Sequence, residues 1–409
     1  MKRKKMNPDK IKKWEILPST GRHFDLLDGL RGIAILMVVC YHDFYVNPQS
    51  GLLVRCIGWL NDRGGVGVQI FFILSGFLIS LPFFKVRKTD ISSWYVKGYA
   101  RRRVAKIIPP FYFSLVVLTV YYLLRFSNPE YIWVAFRWAA GIYNFTPQTL
   151  YFNGVYWSLV VEVQFYLLLP LLFWLTSKLC ARRRLIIIFG LFFFVPLLVR
   201  ELTWPSDLTL AGAKAQIGLT PSEFTSFLMS RFPCQIDYFA WGILFAGVWS
   251  AIPPEGLSVP KNGMRFFSLL GYVGVIMIIT SLVLGVVWTA QFDVISHPAR
   301  WMVESDHLLI GVSGFLLLFF LFDPQCFGAR LLSTQWLRFV GVVSYEWFLF
   351  HQPVIFLFRE LCPKTHGNAI LYLVKTIMPA GLSFLLAVLL YRYFSLPIMN
   401  RVRAGIKRS

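Results

Sequence analysis

The chain has 409 residues, of which 56% are hydrophobic and 17% aromatic while only 15% carry a charge. That balance excludes a soluble globular protein and describes an all-α, polytopic transmembrane helix bundle. The formal net charge of +21 does not require nucleic acid, because the basic runs at 2–5, 101–103 and 182–184 fall where cytoplasmic loops are expected to face anionic lipid.

Residues 1–22 are basic and polar, with no apolar core before Phe24, so no cleavable signal peptide is expected and the N-terminus stays cytoplasmic. Apolar stretches long enough to span then follow at 32–46, 66–84, 107–125, 155–177, 185–200, 232–250, 266–289, 307–323, 340–358 and 369–391. About ten spans with both termini inside place 30 of the 41 Lys/Arg in cytoplasmic segments and 11 outside. On this reading the loops 85–106, 178–184 and 251–265 are cytoplasmic, and 47–65, 201–230 and 290–306 are extracytoplasmic. The amphipathic piece 131–143, interrupted by Arg137, reads as interfacial, because an eleventh span there would put the run 182–184 outside. Membrane domain 23–395 is thus flanked by the basic segment 1–22 and a basic cytoplasmic tail, 396–409. The tail carries no further domain, so an acceptor is expected to be caught by loops and the membrane cavity alone.

The first span, DGLRGIAILMVVCYH, carries Arg31 and His42 eleven residues apart with no charge between them. At ~100° and 1.5 Å per residue the two side chains share one helix face and lie ~16 Å apart along the axis. Ionisable groups inside a bilayer cost about 2.5 to 3.5 kcal/mol each and turn toward protein or water. Either residue alone could be explained by snorkelling or by a helix end, but Asp28, one turn from Arg31, makes a polar track of the group. In the second span Ser75-Gly76 interrupts an apolar run. The pair can serve close helix packing, or close approach of a substrate to backbone, with Ser75 as a nucleophile only if a base stands beside it.

The following loop ends in a basic stretch in which Arg102, Arg103 and Lys106 recur at helical spacing before Pro109-Pro110. Positive-inside topology alone accounts for much of that charge; the helical spacing equally fits a cationic face suited to the phosphates of a nucleotide-type ligand, and both readings stand. In the fourth span Ser158, Glu162 and Tyr166 form a polar stripe at i, i+4, i+8, so Glu162 needs a partner from another helix. In the ninth, Ser344 and His351 share a face, where a lone histidine before Gln-Pro is either structural or a second polar element of a site. Six cysteines are scattered without CxxC or Cys/His spacing, so neither a disulfide framework nor a metal site is expected.

These segments resemble the acyltransferase-3 family of bacterial integral-membrane O-acyltransferases over nearly the full chain. The Arg-x10-His motif matches Arg31 and His42, the aromatic Ser-Gly-Phe motif matches Phe71 to Phe77, and the Arg-x-x-Arg element looks like Arg103 to Lys106. The Trp157 to Tyr166 and Ser344 to Pro353 blocks are also similar. Lys106, Gln69 and Ser395 depart from the family pattern, which more often has arginine, aspartate and glutamate there. The resemblance implies a multi-pass enzyme of the bacterial inner membrane that moves an acyl group, by default acetyl from cytosolic acetyl-CoA, to a hydroxyl of an extracytoplasmic or lipid-linked glycan. Acetyl-CoA would be a co-substrate and no cofactor would be held permanently. Arg102, Arg103 and Lys106 would hold the donor phosphates, Arg31 would guide the pantetheine arm, His42 would act as general base and Glu162 would stabilise the imidazolium. A transporter or flippase of a glycan or lipid precursor would also carry buried charge, but transporters commonly show a two-fold internal repeat, and none is found here.

Overall fold

A computed structural model describes residues 25–43, 63–85, 98–141, 152–203, 230–252, 261–291, 297–361 and 369–408. The segment 1–22 and most of the loops whose sidedness the sequence assigns lie outside these residues. Every regular element among the described residues is helical. That is the expected outcome for apolar segments in lipid, where only a helix or a closed barrel satisfies all backbone groups internally.

In chain order the helices are α1 (Asp25–Asp43), α2 (Val66–Lys85), α3 (Ala100–Phe126), α4 (Glu130–Ala139), α5 (Tyr156–Leu175), α6 (Ala181–Thr203), the single turn α7 (Phe232–Gln235), α8 (Asp237–Ser250), α9 (Lys261–Gln291) and α10 (His297–Leu317). They continue with α11 (Phe327–Leu332), α12 (Gln335–Val342), α13 (Ser344–Leu361), α14 (Ala369–Leu390) and, after a π-helical turn at Tyr391–Ser395, α15 (Leu396–Arg408). Each of the ten expected spans has a helix. Among the described residues, seven helices are long and apolar enough to cross a membrane, or eight if the α12 and α13 pair, bent by 70°, is one span. Helix α1 falls outside that count because of its charges, and α8 because it has only 14 residues. Helix α4, with 10 residues, is too short to span.

Burial explains how the short and charged helices are tolerated. In α1, Leu27, Ala34, Ile35 and Val38 are all buried, since α1 packs against α2, α12 and α13. Peripheral helices instead turn large apolar side chains outward, such as Leu124, Phe194, Leu202 and Ile276. Helices α2 and α8 pack closely, so that a Cβ on Gly76 would overlap the backbone of Phe239 and one on Gly242 the backbone of Ile73. Gly76 therefore serves helix packing, the first of its two sequence readings.

Two boundaries move relative to the sequence reading. Helix α3 begins at Ala100, so the cationic residues assigned to a loop lie on its first turns. Helix α10 begins at His297, drawing the last part of the expected 290–306 loop into the bundle. In both places charge lowers the local hydropathy, and partners or a cavity elsewhere in the fold compensate it. The ninth expected span, 340–358, is broken at Val343, so that α13 starts inside the bundle with Ser344 and Tyr345 facing a cavity.

Candidate active site

Three cavities follow one another through the bundle and share walls. The cationic chamber, about 940 Å³, is lined by Arg31, Arg102, Arg103, Lys106 and Arg403 together with Tyr99 and apolar residues, and, among the described residues, by no carboxylate. Arg31, Arg103 and Lys106 also line the central chamber, about 630 Å³, where they face Ser75, Ser158, Glu162, Tyr166 and Ser344. Val68 and Phe348 divide the central chamber from a third, about 800 Å³, that holds His42, Arg63, Gln69, Trp157 and Asp306. Helix α1 reaches the first chamber with Arg31 and the third with His42, whereas α2 meets them in the opposite order, with Gln69 in the third, Ser75 in the central and Leu78 and Pro82 in the first. Two antiparallel helices thus give the same sequence of chambers.

The cationic face expected on Arg102, Arg103 and Lys106 is present. The Arg103 guanidinium lies over the rings of Tyr99, at 5.6 Å, and Tyr166, at 5.8 Å, which orients it toward both chambers. Arg31 pairs with Asp28 at 3.6 Å, as their spacing in sequence allows. Lys106 lies in the fields of Asp28 and Glu346 as well as those of Arg31 and Arg103. Among the described residues Arg102, Arg103 and Arg403 have no ion pair.

In the central chamber the polar stripe of α5 finds the partner it requires. Ser75 Oγ donates to Glu162 Oε1 at 2.5 Å, and the Tyr166 hydroxyl donates to the same oxygen. This arrangement revises the expected role of Glu162, which is bound to Ser75 and Tyr166 on the far side of Val68 and Phe348 from His42. The same bond makes Ser75 a donor to an acidic side chain, with no imidazole beside it among the described residues.

The group beside His42 is His351. His351 Nδ1 faces the carbonyls of Trp347 at 3.1 Å and Phe348 at 2.9 Å, and its Nε2 lies 3.1 Å from His42 Nδ1. Carbonyls only accept, so in the neutral ring the proton sits on His351 Nδ1, and its Nε2 offers a lone pair. His42 Nδ1 faces that lone pair and the carbonyl of Val38 at 2.9 Å, so it too must carry hydrogen. His42 Nε2 is left as the basic nitrogen. Arg359 donates to the carbonyls of His42, at 3.0 Å, and Asp43, at 2.8 Å, fastening the end of α1 that carries the imidazole.

The third chamber contains groups that sequence reasoning did not single out. Arg63 is ion-paired with Asp306, 243 residues away, and Ser281 Oγ donates to the other oxygen of Asp306 at 2.5 Å. Behind it, buried Arg200 donates to Glu304 at 2.6 and 2.7 Å, to Asp237 at 3.1 Å and to the carbonyl of Cys234 at 2.6 Å. His307 joins the cluster through Asp237 at 2.9 Å. No local spacing signals these long-range pairs. Glu346 and Arg359, by contrast, were legible as charges flanking His351 within one apolar segment.

A family model described as an acyltransferase domain matches residues 24–392. The O-acetyltransferase OatA of Staphylococcus aureus (strain NCTC 8325 / PS 47) is 23% identical over 400 residues, covering 93% of this chain and 58% of that protein. The peptidoglycan O-acetyltransferase OatA of Listeria monocytogenes serovar 1/2a is 24% identical over 390 residues, covering 91% and 55%. The chain thus spans a little over half the length of these relatives. No solved structure matches.

Proposed function

The chain belongs to the acyltransferase-3 domain family, and from that premise we propose that it is a membrane O-acetyltransferase of the bacterial inner membrane. The donor would be cytosolic acetyl-CoA and the acceptor a hydroxyl of an extracytoplasmic or lipid-linked glycan. Names of the relatives support acetyl transfer, and peptidoglycan in one of those names favours a cell-wall glycan as acceptor. The observation that carries the reading is the run of linked chambers from a cluster of cations to an imidazole with a free basic nitrogen.

Coenzyme A is too polar to cross a bilayer, but its pantetheine arm is long and thin. Phosphates held in the cationic chamber by Arg102, Arg103 and Lys106 leave the arm to pass Arg31 and the Ser75–Glu162–Tyr166 cluster toward His42. His42 Nε2 takes the proton of the acceptor hydroxyl as that oxygen attacks the thioester carbonyl. When the tetrahedral intermediate collapses, the carbon–sulfur bond breaks and the imidazolium returns its proton to the departing thiolate. His351 keeps His42 in the required tautomer, in the way a hydrogen-bonding partner fixes an active-site imidazole. Acceptor would enter the third chamber, where the buried Oε1 of Gln69 has no partner among the described residues and Tyr41 and Trp157 offer ring surface.

The test is transfer of radiolabelled acetyl from acetyl-CoA to cell-wall glycan fragments by the purified protein in nanodiscs. Labelled glycan is the expected product. Movement of unmodified glycan or lipid across proteoliposomes without acetylation would instead identify a flippase.

A further inference from the structure

The family match ends at residue 392, yet the cationic chamber has a wall beyond it. After the π-helical turn, α15 packs against α3 and places Met399, Val402 and Arg403 on the chamber. Met399 and Arg403 stand one turn apart, so one helix face supplies both. Met399 is buried with Val343 and Tyr391, which holds that face in place. A basic amphipathic helix at a membrane surface is ordinarily read as a lipid anchor. Here, among the described residues, Arg403 adds a fifth cation to a chamber that already holds four, with no carboxylate on its wall.

The five cations fall into two sets. Arg31, Arg103 and Lys106 line both the cationic and the central chamber, whereas Arg102 and Arg403 line the cationic chamber alone. An acyl-CoA carries its phosphates in a matching order. The diphosphate is bonded directly to the pantetheine arm, and the 3′-phosphate stands on the ribose, farther from the thioester. With the arm in the central chamber, the shared set meets the diphosphate and the outer set meets the 3′-phosphate. We propose that Arg403, on the terminal helix α15, is a donor-binding residue that recognises the 3′-phosphate of coenzyme A. This assignment rests on acyl-CoA being the donor, and guanidinium is the side chain best suited to grip phosphate through two hydrogen bonds.

Binding of acetyl-CoA and of acetyl-dephospho-CoA, which lacks only the 3′-phosphate, is measured by calorimetry on the full chain in neutral phosphatidylcholine nanodiscs. Wild-type protein should prefer acetyl-CoA by roughly 10-fold or more, in keeping with charge-assisted hydrogen bonds. Arg403→Ala should bring that preference close to unity while affinity for the dephospho form stays the same, and Arg403→Lys should keep part of it. Arg401→Ala, a change on the same helix at an exposed residue that does not line the chamber, should leave the preference intact. A preference unchanged in Arg403→Ala, or absent from wild type, overturns the assignment. So does an Arg403→Ala defect that is equal for both donors and arises only in nanodiscs containing phosphatidylglycerol, because the residue would then be anchoring α15 to anionic lipid. Wild-type protein that binds neither donor overturns the donor reading itself, and with it this inference.

Discussion

The cationic chamber and the histidine chamber lie in one bundle and handle charge in opposite ways. In the first, Arg102, Arg103 and Arg403 face a cavity whose wall, among the described residues, has no carboxylate and carries net positive charge. In the third, Arg63 is neutralised by Asp306, Arg359 is spent on the carbonyls that close α1, and His42 faces a second neutral ring. Arg102 and Arg403 are exposed, so their charge needs no carboxylate partner, whereas the more enclosed cation Arg63 of the third chamber is paired. Unpaired cations on a cavity wall suit an anionic ligand, and balanced charge suits a neutral hydroxyl compound. Under the proposed function, donor affinity would belong to one end of the track and proton transfer to the other.

The largest effect should come from the histidine end. His42→Ala is expected to lower kcat by ~10² to 10⁴-fold with acetyl-CoA affinity little changed, since the general base is lost while the cations remain. Steady-state kinetics paired with donor-binding calorimetry would show it, and activity above a tenth of wild type would remove the general base from the mechanism.

At the other end, Arg103→Ala should raise the KM for acetyl-CoA by roughly 10- to 150-fold, the equivalent of the ~1.5 to 3 kcal/mol of a charged hydrogen bond, and lower kcat less. A drop in kcat with donor affinity untouched would erase the division between the two chambers and reduce the arginines to a topology signal.

Asp306→Asn sharpens the contrast by giving the histidine chamber an unpaired cation. Asp306 is partly exposed, which limits the cost, and the expected outcome is a several-fold rise in acceptor KM with donor KM unchanged. Replacing both partners with apolar residues should recover thermal stability lost in the single variant, as is common for ion pairs in low dielectric. Donor KM rising in parallel with acceptor KM would show that the chambers are not independent.

The smallest effect belongs to Lys106→Arg. A guanidinium here offers the two-pronged phosphate grip that an ammonium lacks, so donor affinity should be kept or improved by a few-fold. Loss of affinity in this variant would mean that Lys106 is held by Glu346 and Asp28 rather than by the ligand.

What the residues of one helix do together was legible in the sequence, because helical spacing fixes which side chains share a face before any neighbour is known. Arg31 with His42, the Arg102, Arg103 and Lys106 face, and the Ser158, Glu162 and Tyr166 stripe all follow from that rule and all line the chambers. The all-helical class follows as directly from composition, since lipid leaves an apolar backbone no other open arrangement. Only the tertiary structure decided which faces meet. It gave Glu162 to Ser75 rather than to His42, set His351 against His42 across 309 positions, paired Arg63 with Asp306 across 243, and carried the helix on through a π-helical turn to bring Arg403 to the cationic chamber. Such partners are chosen by how helices pack and where a charge finds its nearest compensation, and no local periodicity encodes either.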